Sequence, residues 1–283
     1  MLKDDALKQF QTLMEFRNLS PVTLKMYLFY VDKFIDYSQK QNIEDITLED
    51  ARSYILQKKS EGLASQSVNV ILCGIRYFFE TVMNDPLSRR QLPNIRYTIK
   101  DPCLFSKEQI VTLVNNASDI RIRLILLLGI DCGFRATEVV NLRVKDIHSD
   151  TMTITIRNSK RNKTRIVKMS HACLNTLRKY WCIYKPTDFF FPSRDGKSHK
   201  HVAWVHSTFK QYILQFSFYD SAFSYHSLRH TFATNMLENG CDIFLLKKLL
   251  GHASFSSTAR YIHLTSHDIK NSSCLSDIWG LGL

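Results

Sequence analysis

Long apolar runs are missing from this chain. The longest, Leu124 to Ile130, falls far short of the roughly 20 residues that a membrane-spanning helix needs. Met1 to Phe10 carries Lys3, Asp4, Asp5 and Lys8 among few apolar positions, so it cannot form the apolar core of a signal peptide. A cytoplasmic protein without a membrane partner is expected. The seven cysteines, Cys73, Cys103, Cys132, Cys173, Cys182, Cys241 and Cys274, include no C-x-x-C pair, which removes the usual sequence grounds for a zinc site or a redox motif. They read as reduced, mostly buried thiols. Internal repeats, low-complexity tracts and heptad runs are also absent. Acidic residues are the scarcer charge, 26 against 38 Lys and Arg, for a formal charge of +12. That excess favours a polyanionic partner over a small neutral one.

What is present suits two domains. The 283 residues are 45% hydrophobic, enough for two medium cores. Ser20-Pro21 sets an N-cap before a proline at the first helical position, and Leu24, Tyr27, Leu28, Val31, Phe34 and Ile35 follow at helical spacing. Thr47 caps a further helix through Ile55, another runs from Ser65 through Val82, and Leu2 to Phe16 forms a weaker amphipathic start. Between Asn84 and Lys107 the helical period stops, and Pro86, Pro93 and Pro102 punctuate a basic stretch with Arg89, Arg90, Arg96 and Lys100. The expected organisation is a helical-bundle domain over residues 1–92, a linker over 93–102 and a second domain over 103–283. In the second, Ser106 opens one helix, Ile120 to Ile130 forms an apolar one, and another begins near Phe134. Thr151 to Ile156 and Arg165 to Met169 flank the polar stretch Arg157 to Thr164 in the pattern of a β-hairpin. After Ala172 the chain reads as helix, with a loop at Pro192 to Lys200. The fold class is therefore mainly α with a small antiparallel β-sheet.

The chemistry-bearing residues are His226 and Arg229 in Tyr225-His-Ser-Leu-Arg-His230, His252 after Leu250-Gly251, and Tyr261. His226 and Arg229 share a helix face and can hold one phosphate between them. Gly251 permits the tight turn that lets His252 begin a new element. His226 and His230 stand four apart, but no Glu lies between them as in the zinc peptidase helix motif, so no metal is expected. His148, His171 and His206 read as surface or core residues, and Cys132 as packing.

In order and spacing these residues closely resemble the tyrosine recombinase, or phage integrase, family. Twenty-three positions separate Arg229 from His252 and nine separate His252 from Tyr261, as in its bacterial Xer-type members. The family's Gly-x-Arg-x-x-Glu turn matches Gly133 to Glu138, with Leu142 and Asp146-Ile147 after it, and its helical first domain opens as Leu19, Ser20, Thr23 and Tyr27 do here. Phe134, Thr137, Ser159 and Arg161 depart from the commoner residues. Lys160 stands in register with the family's hairpin lysine, with Lys163 as the close competitor.

The resemblance implies a helical core-DNA-binding domain and an α+β catalytic domain clamped around duplex DNA. Arg135 and Arg229 would clamp the scissile phosphate, since paired N–H donors suit the charge that builds on its oxygens. Tyr261 would attack to leave a 3′-phosphotyrosine, with His226 as general base, His252 hydrogen-bonding the phosphate and Lys160 protonating the departing 5′ oxygen. Glu138 would orient Arg135. The stretch Arg157 to Lys168 contains no acid, and Arg157, Arg161, Lys163 and Arg165 are expected to lie along the DNA backbone. No metal, ATP or small-molecule cofactor is implied. The expected partners are a specific core site in double-stranded DNA and further copies of the chain, in a homotetramer on two DNA sites that passes through a Holliday junction. The apolar residues Ile269, Leu275, Ile278, Trp279, Leu281 and Leu283 would exchange between subunits. No extra module precedes the bundle, which points to a core-site enzyme carried on a mobile element. A type IB topoisomerase, which relaxes DNA without a specific site, and a catalytically silent DNA-binding regulator are the alternatives.

Overall fold

A computed structural model describes residues 1–98, 100–157 and 164–261. The chain divides into two compact units, Met1–Lys100 and Asp101–Leu283.

In the first unit, four helices pack around one core: α1 (Lys3–Phe16), α2 (Pro21–Ser38), α3 (Leu48–Ser60) and α4 (Ser65–Thr81). Their ends follow from local chemistry. The Ser20 side chain accepts from the Thr23 amide, and Thr47 and Asp50 form a reciprocal capping box. Phe10, Met14, Phe34, Ile71 and Phe78 are fully buried between them. Gly74 brings α4 close to α2, since a Cβ there would touch the Tyr27 ring at 3.4 Å. Just beyond α4 the described residues form no regular helix or strand, yet the chain is anchored: the Asn69 amide side chain donates to the Ile95 carbonyl at 2.9 Å and accepts from its N–H at 2.8 Å.

In the second unit, α5 (Lys107–Asn115) and α6 (Ile120–Ile130) lead to the short α7 (Ala136–Val140). Three antiparallel strands follow in sequential order, β1 (Ile147–His148), β2 (Thr153–Arg157) and β3 (Thr164–Lys168). Then come α8 (His171–Tyr184), α9 (Val202–Ile213), α10 (Tyr225–Glu238), α11 (Ile243–Leu250) and α12 (Ser256–Ala259). Helix α6 is apolar on nearly every side, with Leu124 to Leu128 all buried, so it forms the centre of the core. Gly129 lets α10 approach it: a Cβ there would lie 2.9 Å from Leu228 Cβ. This close crossing fixes the first turns of α10, which carry His226, Arg229 and His230.

Sheet register decides which basic side chains face inward. Ile154 pairs with Val167 and Ile156 with Arg165. With period two, Arg165 therefore shares the buried face of Val167 while Ile166 is exposed. The mainly α fold with a small antiparallel sheet is as the sequence implied, with β1 as an additional short strand. No helix among the described residues is long and apolar enough to cross a membrane.

Candidate active site

The site is built around one buried carboxylate. After α6 the backbone turns at Gly133, φ +63°, and Arg135 becomes the N-cap of α7. Its N–H donates to Glu138 Oε2 at 2.8 Å and its Nη1 to Oε1 at 2.9 Å. Arg165 reaches the same carboxylate from β3 with a two-pronged contact, Nη1 to Oε1 at 2.7 Å and Nη2 to Oε2 at 2.8 Å. Arg229 Nη1 lies 3.6 Å from Oε2. Burial alone would raise the Glu138 pKa, but the Arg165 hydrogen bonds and the charges of Arg165 and Arg229 outweigh it and hold the group down to about 2. Glu138 is thus ionised and fixes three guanidiniums in place.

Arg229 is fully buried. It donates through Nη1 to the Gly133 carbonyl at 2.6 Å and through Nη2 to the Leu250 carbonyl at 2.5 Å. Both acceptors are carbonyls at turns, one beside Arg135 and one just before Gly251, whose φ is +62°. Nη2 also lies 3.3 Å from His252 Nε2. Since a guanidinium only donates, Nε2 is the acceptor there, and His252 Nδ1 carries the proton that it shares with Thr258 Oγ1 at 2.9 Å. The Arg229 Nε is buried with no hydrogen-bond partner among the described residues. Burial and the neighbouring Arg135 bring the Arg229 pKa down to about 9, leaving it cationic at neutral pH.

Tyr261 follows α12 and is 1% exposed. Its hydroxyl lies 2.9 Å from His230 Nδ1, and its ring runs nearly parallel to that of His252, at 8° with centroids 6.4 Å apart. His226 packs edge-on against His230, 4.4 Å between centroids. Desolvation, reinforced by nearby cations, lowers His226 to about 4 and His230 and His252 to about 3, so all three are neutral at pH 7. Burial raises the Tyr261 pKa despite the opposing charges of Arg229, Arg260 and Arg135. The phenol is protonated at rest and needs a base to attack.

Arg135, Glu138, His226, Arg229, His252 and Tyr261 therefore converge within one unit. Lys160, Arg161 and Lys163 lie outside the described residues, as does the apolar segment 262–283. Arg157 is exposed and paired with the buried Asp146 at 2.7 Å. Arg165 corrects an expectation. It is buried on Glu138 rather than laid along a surface, because strand alternation points it inward. A second difference concerns the tyrosine: the histidine bonded to its hydroxyl is His230, one turn beyond His226.

Residues 104–267 match the Phage integrase family, and residues 6–89 match its N-terminal SAM-like domain. The chain belongs to the phage integrase family. Within that family it is similar to the tyrosine recombinase XerA of Pyrococcus furiosus, with 28% identity over 277 residues covering 95% of this chain and 93% of the relative. A tyrosine recombinase of Pseudothermotoga lettingae is 30% identical over 268 residues, covering 90% of this chain and 92% of that one. Among solved structures, a XerA recombinase matches with 25% identity and a TM-score of 0.53, covering 98% of both chains. The Tn1549 transposon integrase, solved with circular intermediate DNA, shares the fold with a TM-score of 0.73 at 16% identity, covering 98% of this chain and 99% of that one.

Proposed function

We propose that this integrase-family chain is a site-specific DNA recombinase that cuts and rejoins strands through a 3′-phosphotyrosyl link on Tyr261. The observation that carries the reading is the convergence of Arg135, His252 and Tyr261 on Arg229, whose Nε has no hydrogen-bond partner among the described residues. A buried guanidinium with a free donor is costly unless something with negative charge completes it, and here Arg135 and His252 flank it. A scissile phosphate is the ligand that two guanidiniums and an imidazole would suit.

In the proposed reaction Arg229 Nε and the exposed part of the Arg135 guanidinium receive the non-bridging oxygens. Their charge offsets the negative charge that grows there as Tyr261 attacks. Glu138 supplies no contact to DNA; it keeps the guanidiniums from moving. His252 turns from Arg229 to the phosphate with its proton moved to Nε2, the nitrogen that then donates, while Nδ1 accepts from the Thr258 hydroxyl. His226, in the first turn of α10, adds a further hydrogen bond to the phosphate. Lys160 is the candidate to protonate the 5′ oxygen as it leaves, on the strength of its register in the sequence, with Lys163 as the alternative. Arg157, with Arg161 and Lys163, would position the DNA backbone without choosing a sequence.

Because the phosphoester is kept on the protein, a 5′ hydroxyl from a second strand can restore DNA without hydrolysis and without a nucleotide or metal. Carried through twice, this exchange makes and resolves a Holliday junction. The partner is double-stranded DNA with a core site, held in part by the helical domain over residues 1–92. The working form is a homotetramer on two such sites in the cytoplasm, and the element it serves is a mobile one.

The test incubates wild type and Tyr261→Phe with nicked duplexes taken from DNA flanking the gene. An adduct that survives denaturant is expected from wild type alone. Tight, site-selective binding without any adduct would instead support a silent regulator, and relaxation of an arbitrary supercoiled plasmid a topoisomerase.

A further inference from the structure

We propose that His230, rather than His226, takes the hydroxyl proton of Tyr261 as the nucleophile attacks. The inference rests on the recombinase reading and deepens it by assigning the base. Three observations support it. First, a general base must lie within about 2.6–3.2 Å of the atom whose proton it removes, and the His230 Nδ1 to Tyr261 Oη distance is 2.9 Å. Second, His226 and His230 occupy one face of α10 at a spacing of four, but the His226 ring contacts the His230 ring edge-on at 4.4 Å, and His230 is the hydroxyl's hydrogen-bond partner among the described residues. Third, Tyr261 is 1% exposed, so its proton has no direct path to bulk water and must pass to a protein group.

The groups that act on His230 are His226 and Arg229 from its own helix, Arg260 beyond α12, and Tyr261 itself. Together with desolvation, the first three keep the imidazole neutral, with its Nδ1 lone pair free to accept from the phenol. A phosphate seated between Arg135 and Arg229 adds negative charge beside these cations. That raises the proton affinity of His230 at the moment when the phenol becomes more acidic by bonding to phosphorus. In the step itself, the Tyr261 Oη–P bond forms, the P–O5′ bond breaks, the phenolic proton moves to His230 Nδ1, and the 5′ oxygen gains a proton from the hairpin lysine. Rejoining runs the same transfers backwards.

The experiment measures single-turnover adduct formation against pH, on duplexes that the wild type has been shown to cleave, for wild type, His230→Asn and His226→Asn. The Asn amide oxygen can stand near the place of Nδ1, keeping the hydrogen bond while being unable to take the proton. The wild-type rate is expected to be flat between about pH 6.5 and 8.5, because neither His230 nor the phenol changes state there. His230→Asn should be about 10²- to 10⁴-fold slower near neutrality. Its rate should rise about tenfold per pH unit, because the phenol must now ionise in a separate equilibrium before it attacks. A fluorinated tyrosine at position 261, with a more acidic phenol, should recover much of that rate, and the His226→Asn profile should stay flat whatever its rate. DNA affinity and thermal melting establish that each variant is folded, and His230→Gln replaces His230→Asn if the latter is not.

Three outcomes overturn the assignment: His230→Asn within about fivefold of wild type, a slow but flat His230→Asn profile showing that the residue only positions the hydroxyl, or the sloping profile appearing in His226→Asn. Absence of an adduct from wild type, or its persistence in Tyr261→Phe, would sink the recombinase reading itself, whatever His230 does.

Discussion

The substitution Glu138→Gln keeps the shape of the side chain while removing the negative charge that Arg135, Arg165 and Arg229 share. Arg165 and Arg229 have side chains only 6% and 0% exposed, so neither can recover its solvation in place. Depression of the Glu138 pKa from 4.5 to about 2 corresponds to about 3 kcal/mol of stability. Breaking a buried ion pair by removing one partner costs about 3–5 kcal/mol. The two routes agree, and a loss of about 3 kcal/mol is a large share of the roughly 5–15 kcal/mol that holds a domain folded. The sign with pH follows from a depressed carboxylate. The contribution is complete above the unfolded value of 4.5 and disappears as pH falls through about 2, so wild type and variant should converge in that window. Urea denaturation at neutral pH and at several acidic values measures both effects. The double variant Glu138→Gln with Arg165→Met should lose less than the sum of the two single losses, with a coupling of about 0.5–3 kcal/mol. A Glu138→Gln loss below about 1 kcal/mol, additive with Arg165→Met, would refute the claim that this carboxylate organises the cluster.

Gly133→Ala should lower the melting temperature and abolish cleavage together. Its φ of +63° costs a non-glycine residue about 1–3 kcal/mol, and the new Cβ would lie 2.6 Å from Phe232 Cδ1, displacing the carbonyl that holds Arg229. Thr258→Val should leave DNA affinity unchanged but slow cleavage by about tenfold or less, the value of one hydrogen bond, by freeing His252 Nδ1. Thr258→Ser should restore the rate in the same single-turnover assay.

Much of this was legible in the sequence because it rests on local rules. The caps at Ser20, Thr47 and Ser106 and the apolar helix Ile120–Ile130 need only side-chain chemistry and spacing, and the turn at Gly251 is a left-handed helix end. The sequence also located the convergence of Arg135, Arg229, His252 and Tyr261, through motif order. The inward turn of Arg165 is not visible in the charge of Arg157 to Lys168 taken as a block. Strand parity could have found it, since Arg165 stands two residues from the buried Val167. In the sequence, His230 stands out only as a possible metal ligand with His226. Its i, i+4 relation put both on one face, but which of them meets Tyr261 depends on where α12 returns the chain, and no local pattern encodes that. Nor could spacing show that Tyr261 is buried at rest, since its cover comes from α10 and the turn after α11.

The most direct test of the account is the identity of the bond. The wild-type adduct, digested with nuclease and trypsin and examined by mass spectrometry, should carry a deoxynucleotide joined through its 3′ phosphate to Tyr261, on the peptide that follows Arg260. A nucleotide on any other residue, or one joined through a 5′ phosphate, would contradict the account.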